Sequence, residues 1–135
     1  MIVIDTSALI AILLGEPERS LFLAALDAAD GIVVSTGTVI EARMVAHGRE
    51  GDALVRILDN LLRDYGMEIA PPGAAEIEAA HSAFTTYGKG NGHPAQLNFG
   101  DLFSYALAKV RGLPLLFKGD DFGHTDIERA VDGRE

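Results

Sequence analysis

Short apolar runs interrupt this chain, and between them apolar residues return at helical spacing. Ile2-Val3-Ile4 and Ile32-Val33-Val34 are β-branched and contain no polar alternate, the pattern of strands buried on both faces of a parallel sheet. Met67 to Ala70 and Leu115 to Phe117 read as a third and a fourth strand, and the tail from Ile127 offers a short fifth. Helices fill the intervals. Ser7 to Leu14 forms one, stopped at Gly15, and Pro17 opens a second that runs toward Asp30-Gly31. Ser35 or Thr36 can cap a third, which carries Glu41 and fades near Gly48. From Asp52 to Tyr65, residues Leu54, Ile57, Leu58, Leu61, Leu62 and Tyr65 keep the spacing of an amphipathic helix. Pro71-Pro72-Gly73 turns the chain into a helix marked by Ile77, Ala80, Phe84 and Tyr87. The run Gly88-Lys-Gly-Asn-Gly-His-Pro reads as a mobile loop at the rim. A nearly all-apolar helix follows, from about Phe99 to Val110, which belongs against the centre of the sheet and stops at Gly112 and Pro114.

Strands alternating with helices imply a central parallel sheet of four to five short strands with helices on both faces, a three-layer α/β/α arrangement. No repeat, low-complexity stretch or shift in composition marks a second domain, so one domain is expected over 1–135. In such sheets the functional crevice lies outside the carboxyl ends of the strands. Four carboxylates fall where that crevice should be. Asp5 closes the first strand, Asp121 follows the fourth, Glu41 projects from a helix that begins after a strand, and Asp101 stands in the first turn of the apolar helix. Carboxylates so close to a core call for a neutralising partner, and a divalent metal is the natural one. The plain alternative makes Asp5 a helix cap, lets Asp101 favour its helix N-terminus through the dipole, and makes Asp120-Asp121 a turn. Glu41, about two turns into an apolar helix, fits neither capping nor turn chemistry.

Composition narrows the chemistry. The absence of cysteine among 135 residues excludes disulfides, thiolate metal sites and cysteine nucleophiles, so a metal here must take oxygen or imidazole ligands. A net charge of −9 argues against nucleic-acid binding through a broad basic face. It leaves room for an acidic site whose bound cation attracts phosphate. No long apolar run or basic leader points to a membrane or to export, and a cytoplasmic protein is expected. Mg²⁺, or Mn²⁺ in its place, prefers oxygen ligands of this kind, and the chemistry such a site suits is hydrolysis of a phosphodiester by an activated water.

Several local motifs then resemble one family. Asp5-Thr6-Ser7-Ala8-Leu9 follows an apolar strand, and Glu41 lies in an apolar helix. Leu97-Asn98-Phe99-Gly100-Asp101 opens another helix, and Leu115-Leu-Phe-Lys-Gly-Asp-Asp-Phe122 precedes Thr125-Asp126-Ile127. In this order, over nearly the whole chain, they resemble the PIN-domain family and within it the VapC-type toxins of bacterial toxin–antitoxin pairs. The resemblance implies a PIN fold, a Mg²⁺- or Mn²⁺-dependent endoribonuclease acting on tRNA or rRNA, a homodimer, and a VapB-like antitoxin as partner. It places Asp5, Glu41, Asp101 and Asp121 around the metal, with Thr6 and Ser7 as hydroxyls able to bond a ligand carboxylate or water. The fourth position is ambiguous between Asp120 and Asp121. Asp121 aligns better beside Phe122, leaving Asp120 as a supporting group, and Asp126 is expected to cap the tail.

Other residues carry weaker signals. His47 and His81 read as surface positions, His93 as a loop residue able to touch RNA or a partner, and His124 as exposed; no spacing suggests a zinc site. Lys118 either touches substrate phosphate or is a solvated strand end, and Arg43 and Arg49 divide between phosphate contacts and charge balance. Phe84, Tyr87 and Tyr105 suit a core or a dimer surface. Leu9, Ile12, Leu13, Leu21 and Phe22 together suggest an apolar groove for an amphipathic partner segment. Rival readings are a phosphoacceptor domain and a binding protein that has lost its chemistry. Asp5 lacks the acidic neighbour of a receiver domain, and Ser7 stands where a haloacid-dehalogenase-type phosphatase would need an acid.

Overall fold

A computed structural model describes residues 1–131; the last four positions of the expected domain lie outside the described residues. Strands β1 (Ile2–Ile4), β2 (Ile32–Ser35), β3 (Glu68–Ala70) and β4 (Leu115–Leu116) form one parallel sheet in the order β3-β2-β1-β4. Alternate side chains of each central strand serve opposite layers, because Cβ direction alternates along a strand. Ile2, Ile4, Ile32 and Val34 enter one core with helices α1 (Thr6–Leu13), α2 (Arg19–Ala28) and α4 (Asp52–Asp64). Val3, Val33 and Leu115 enter the other with α5 (Ala74–Tyr87) and α6 (Phe99–Arg111). The central strands are buried on both faces, as their unbroken apolar runs predict, and burying each such Val or Ile side chain contributes about 1.5–3 kcal/mol. No helix of the described residues is long and apolar enough to cross a membrane.

The elements sit close to their predicted positions, with three differences. The tail adds no fifth strand among the described residues: Arg129 makes a single parallel bridge to Leu115, through Leu115 N–H to Glu128 C=O and Ala130 N–H to Leu115 C=O, both 2.9 Å. The glycine-rich loop is tied down rather than free at the rim. Leu97 N–H donates to Tyr87 C=O (2.9 Å) and Lys89 N–H to Leu97 C=O (2.8 Å), while Ala95 and Leu97 are buried. His93 holds this loop together, its ring edge-on to Tyr87 and its Nδ1 accepting from Ala95 N–H. Finally, the expected apolar groove along the first two helices does not exist as a surface. Leu9, Ile12 and Phe22 are 0%, 4% and 1% exposed, and Leu13 and Leu21 pack against the same core. The two helices fold down onto β1 and α4, which consumes the apolar surplus.

Helix α3 (Thr36–Glu50) packs directly against α6. Two glycines allow it. A Cβ at Gly37 would overlap the Phe103 ring, and a Cβ at Gly100 would overlap the Glu41 carboxylate. This crossing sets the position of the candidate site.

Candidate metal centre

Each carboxylate is delivered by a separate piece of local structure. Asp5 remains in register with the sheet, its N–H donating to Leu116 C=O (3.0 Å), and then caps α1 by accepting from Ser7 N–H (3.0 Å). Its Oδ2 also accepts from Ser7 Oγ (2.7 Å), and its Oδ1 from Ser104 Oγ (2.5 Å), a fully buried hydroxyl of α6 that in turn lies 3.2 Å from Thr38 Oγ1. Glu41 reaches over Gly100, and its Oε1 accepts from Thr6 Oγ1 (2.6 Å). Asp101 closes a capping box: its Oδ2 accepts from Asn98 N–H and Asn98 Oδ1 accepts from Asp101 N–H, both 3.0 Å. The capping reading and the site reading are therefore not rivals. Asp5 and Asp101 cap their helices with one oxygen and face the crevice as well.

That crevice, about 500 Å³, is lined by Asp5, Thr6, Ser7, Ile10, Glu16, Glu41, Val45, Asp101, Lys118 and Gly119. Its electrostatics are unfavourable for the protein alone. Burial raises the Asp5 carboxyl above its ordinary 3.8, against the lowering effect of the Ser104 and Ser7 donors. Burial also dominates at Asp101; the Asn98 N–H opposes it, the charges of Asp5, Asp121 and Glu41 add to it, and the carboxyl stands at about 7. The donor set is oxygen only, which fits Mg²⁺ or Mn²⁺. Among the described residues no three His, Cys, Asp or Glu side chains stand close enough together to hold a metal ion as they are placed. An open arrangement of a few carboxylates suits a cation that keeps much of its water.

A family model for the PIN domain matches residues 2–128. The chain belongs to the PIN-domain family. Among its curated relatives, ribonuclease VapC42 of Mycobacterium tuberculosis is 42% identical over 128 residues, spanning 95% of this chain and 98% of that one. Ribonuclease VapC30 of the same organism is 47% identical over 125 residues, spanning 93% and 95%. Solved structures share the fold at low identity. A crystal structure of M. tuberculosis VapC20, described as a toxin that cleaves the sarcin–ricin loop, superposes with a TM-score of 0.76 at 15% identity, covering 94% of this chain and 96% of that one. A toxin–antitoxin complex from Klebsiella pneumoniae gives 0.73 at 18%, covering 98% and 99%. The expected resemblance to VapC-type PIN domains thus holds over nearly the full chain.

In this PIN domain Asp120 and Asp121 are both exposed, and neither lines the crevice. The charge of Asp121 acts on Asp101, whereas that of Asp120 is not among the charges that do. Both serve the turn through their carbonyls, Asp120 accepting from Gly123 N–H (3.0 Å) and Asp121 from His124 N–H (3.5 Å). Asp126 does not cap the tail. It accepts from Tyr105 Oη and Lys109 Nζ, both 2.6 Å, and so ties the segment after Phe122 to α6. Arg43 is engaged bidentately by Asp59, at 3.1 and 2.9 Å, on the outer side of α3. His47 is exposed and lies 3.0 Å from Asp52, and His81 and His124 are exposed. Three residues at the site were not anticipated: Ser104, Thr38 and Gly100. Ser104 lies three places after Asp101, one helical turn on, where a lone serine inside an apolar helix is a signal that spacing offers. Gly100 carried no such signal, since its role depends on what crosses it.

Beside the crevice lies a second hollow of about 510 Å³, lined by Gly37, Ile40, Glu41, Met44, Val45, Phe99, Gly100 and Phe103. Phe99 (77% exposed), Met44 (70%), Ile77 (63%) and Ile40 (57%) leave this face of α3, α5 and α6 openly apolar. Tyr105 belongs to the core, while Phe84, on the same helix as Ile77, is exposed.

Proposed function

We propose that this chain is a Mg²⁺- or Mn²⁺-dependent endoribonuclease, the toxin of a type II toxin–antitoxin pair, that hydrolyses phosphodiester bonds in structured tRNA or rRNA. The observation that carries the reading is the meeting of Asp5, Glu41 and Asp101 in one crevice, with the charge of Asp121 near enough to act on Asp101, whose carboxyl is held at about 7 by burial and by the other three charges. These four residues would hold the metal. A bound divalent cation would supply charge neutralisation at the phosphodiester and a more acidic water for its hydrolysis. The chain's own contribution is orientation. Ser7 and Ser104 fix the two oxygens of Asp5, Thr6 fixes Glu41, and the Asn98 N–H fixes Asp101, so the carboxylates are held before any ligand arrives.

The similarity to VapC ribonucleases supports the choice of RNA as substrate and of a VapB-like antitoxin as partner, and the cytoplasm as the compartment where both occur. The apolar face of Ile40, Met44, Ile77 and Phe99 supports a homodimer, since contiguous exposed apolar surface of this kind marks association. The test is cleavage of total tRNA and rRNA by purified protein with Mg²⁺, Mn²⁺ or chelator, comparing the parent with Asp5→Asn and Asp101→Asn. Discrete metal-dependent cuts that vanish in both variants support the proposal. A folded, antitoxin-free protein that cuts nothing with either metal refutes it in favour of a binding or phosphoacceptor role.

A further inference from the structure

An acidic nuclease must hold a polyanion next to its own carboxylates, and here the lining of the crevice includes one cation among the described residues, Lys118. We infer that Lys118 is a substrate-binding residue, its ammonium held at the lip of the crevice by Glu16 and Glu18 and offered there to a phosphate oxygen of the RNA strand. The inference rests on the nuclease reading above and goes beyond it by naming the group that meets the substrate backbone.

Three observations support this. The lysine is wired to the site through its main chain: Lys118 N–H donates to Ser7 Oγ (3.0 Å), and the same hydroxyl donates to Asp5 Oδ2 (2.7 Å). Its position relative to Asp5 is therefore fixed. Second, the ammonium is only partly committed. Nζ donates to Glu16 Oε1 at 2.8 Å, while Glu18 Oε1 lies 3.3 Å away and is a buried oxygen with no hydrogen bond. An ammonium has three donors, and the side chain is 35% exposed, so donors remain for a ligand arriving from solvent. Third, four other basic residues are engaged elsewhere, and Arg49, Arg56 and Lys89 lie outside the crevice lining. Arg43 and Arg111 are engaged bidentately by Asp59 and Glu68, Lys109 is paired with Asp126, and Arg129 lies over the Phe117 ring. A lysine suits the task because it is a mobile point charge on a long stem. Glu16 and Glu18 keep that charge at the lip, away from the carboxylates that would otherwise attract it inward.

Sign separates this role from a structural ion pair. Lys118→Met removes the ammonium's contacts with Glu16 and Glu18, and Glu18→Gln weakens the second of them from the other side, so a merely structural cluster makes the two variants shift in the same direction. A phosphate-binding lysine makes them opposite. We expect Lys118→Met to weaken binding of a fluorescent RNA oligonucleotide, measured in chelator, about tenfold and to reduce the salt dependence by roughly one phosphate contact. Glu18→Gln, which loosens the hold on the ammonium and removes a repelling charge, should tighten binding, and Lys118→Arg should stay near the parent. Mn²⁺ binding measured by calorimetry should persist in Lys118→Met. If Lys118→Met and Glu18→Gln lower the melting temperature alike and leave RNA affinity and its salt slope unchanged, or shift them the same way, the inference is overturned. A parent protein that binds neither Mn²⁺ nor RNA fails the nuclease reading itself, and that failure is visible before any variant is made.

Discussion

Asp101→Asn should stabilise the metal-free protein while removing its response to metal. Asparagine keeps an oxygen to accept the Asn98 N–H, now 3.0 Å from Asp101 Oδ2, so the start of α6 is preserved and only the charge is lost. Burial together with Asp5, Asp121 and Glu41 holds this carboxyl at about 7 instead of 3.8, which corresponds to on the order of 4 kcal/mol against folding once it is fully ionised. Water at the open side of the crevice and relaxation of neighbouring side chains return part of that, leaving about 2 kcal/mol. The sign follows from proton counts. Below about pH 4 the group is protonated in folded and unfolded chains alike and contributes nothing. Between about pH 4 and 7 the folded chain keeps a proton that the unfolded chain has released, so stability falls as pH rises, and above about pH 7 the full penalty applies. In chelator at about pH 8 the variant should therefore exceed the parent by about 2 kcal/mol, a rise in Tm of roughly 6 °C, and near pH 4.5 the gap should shrink to about 1 kcal/mol or less. Urea denaturation at both pH values measures it. Added Mn²⁺ should then raise the parent's stability by mass action and leave Asp101→Asn nearly unchanged. Equal destabilisation of the variant at both pH values would show that Asp101 acts as a helix cap without repulsion, and would sink the electrostatic account of the site.

Gly100→Ala should cut RNA cleavage about 10–100-fold by displacing Glu41, while the gain in helix propensity keeps Tm close to the parent's; cleavage assays beside circular dichroism check both. Asp121→Asn should weaken Mn²⁺ binding about tenfold and bring Asp101 back toward the ordinary carboxylate range, whereas Asp120→Asn should change binding by less than about twofold; calorimetry and NMR titration of the Asp101 carboxyl distinguish them. Ser104→Ala leaves Asp5 Oδ1 without its buried donor and should cost about 1–3 kcal/mol, less in acid, where a protonated Asp5 tolerates the loss; thermal melts across pH in chelator test this.

Alternating apolar runs and helical spacings determined the parallel α/β order, because buried strands and amphipathic helices differ in period whatever they pack against. The four carboxylates stood out for a related reason. Charge at the edge of an apolar segment is costly, so its presence is informative in one dimension. What the sequence left open was decided by crossings and by burial depth. Ser104 meets Asp5 across 99 positions of chain, and Gly100 matters only because α3 brings Glu41 over it. Phe22 and Leu9 carry the same apolar signal whether they line a groove or fill a core, and only the packing of α1 and α2 onto β1 and α4 made them core. The glycine-rich loop looked free because its composition is flexible, yet two backbone hydrogen bonds between Tyr87, Lys89 and Leu97 and the buried Ala95 pin it. Local periodicity determines which elements form, since it reflects the backbone's own geometry. Which side chains share a crevice is settled by contacts between elements distant in sequence, and no local pattern encodes those distances.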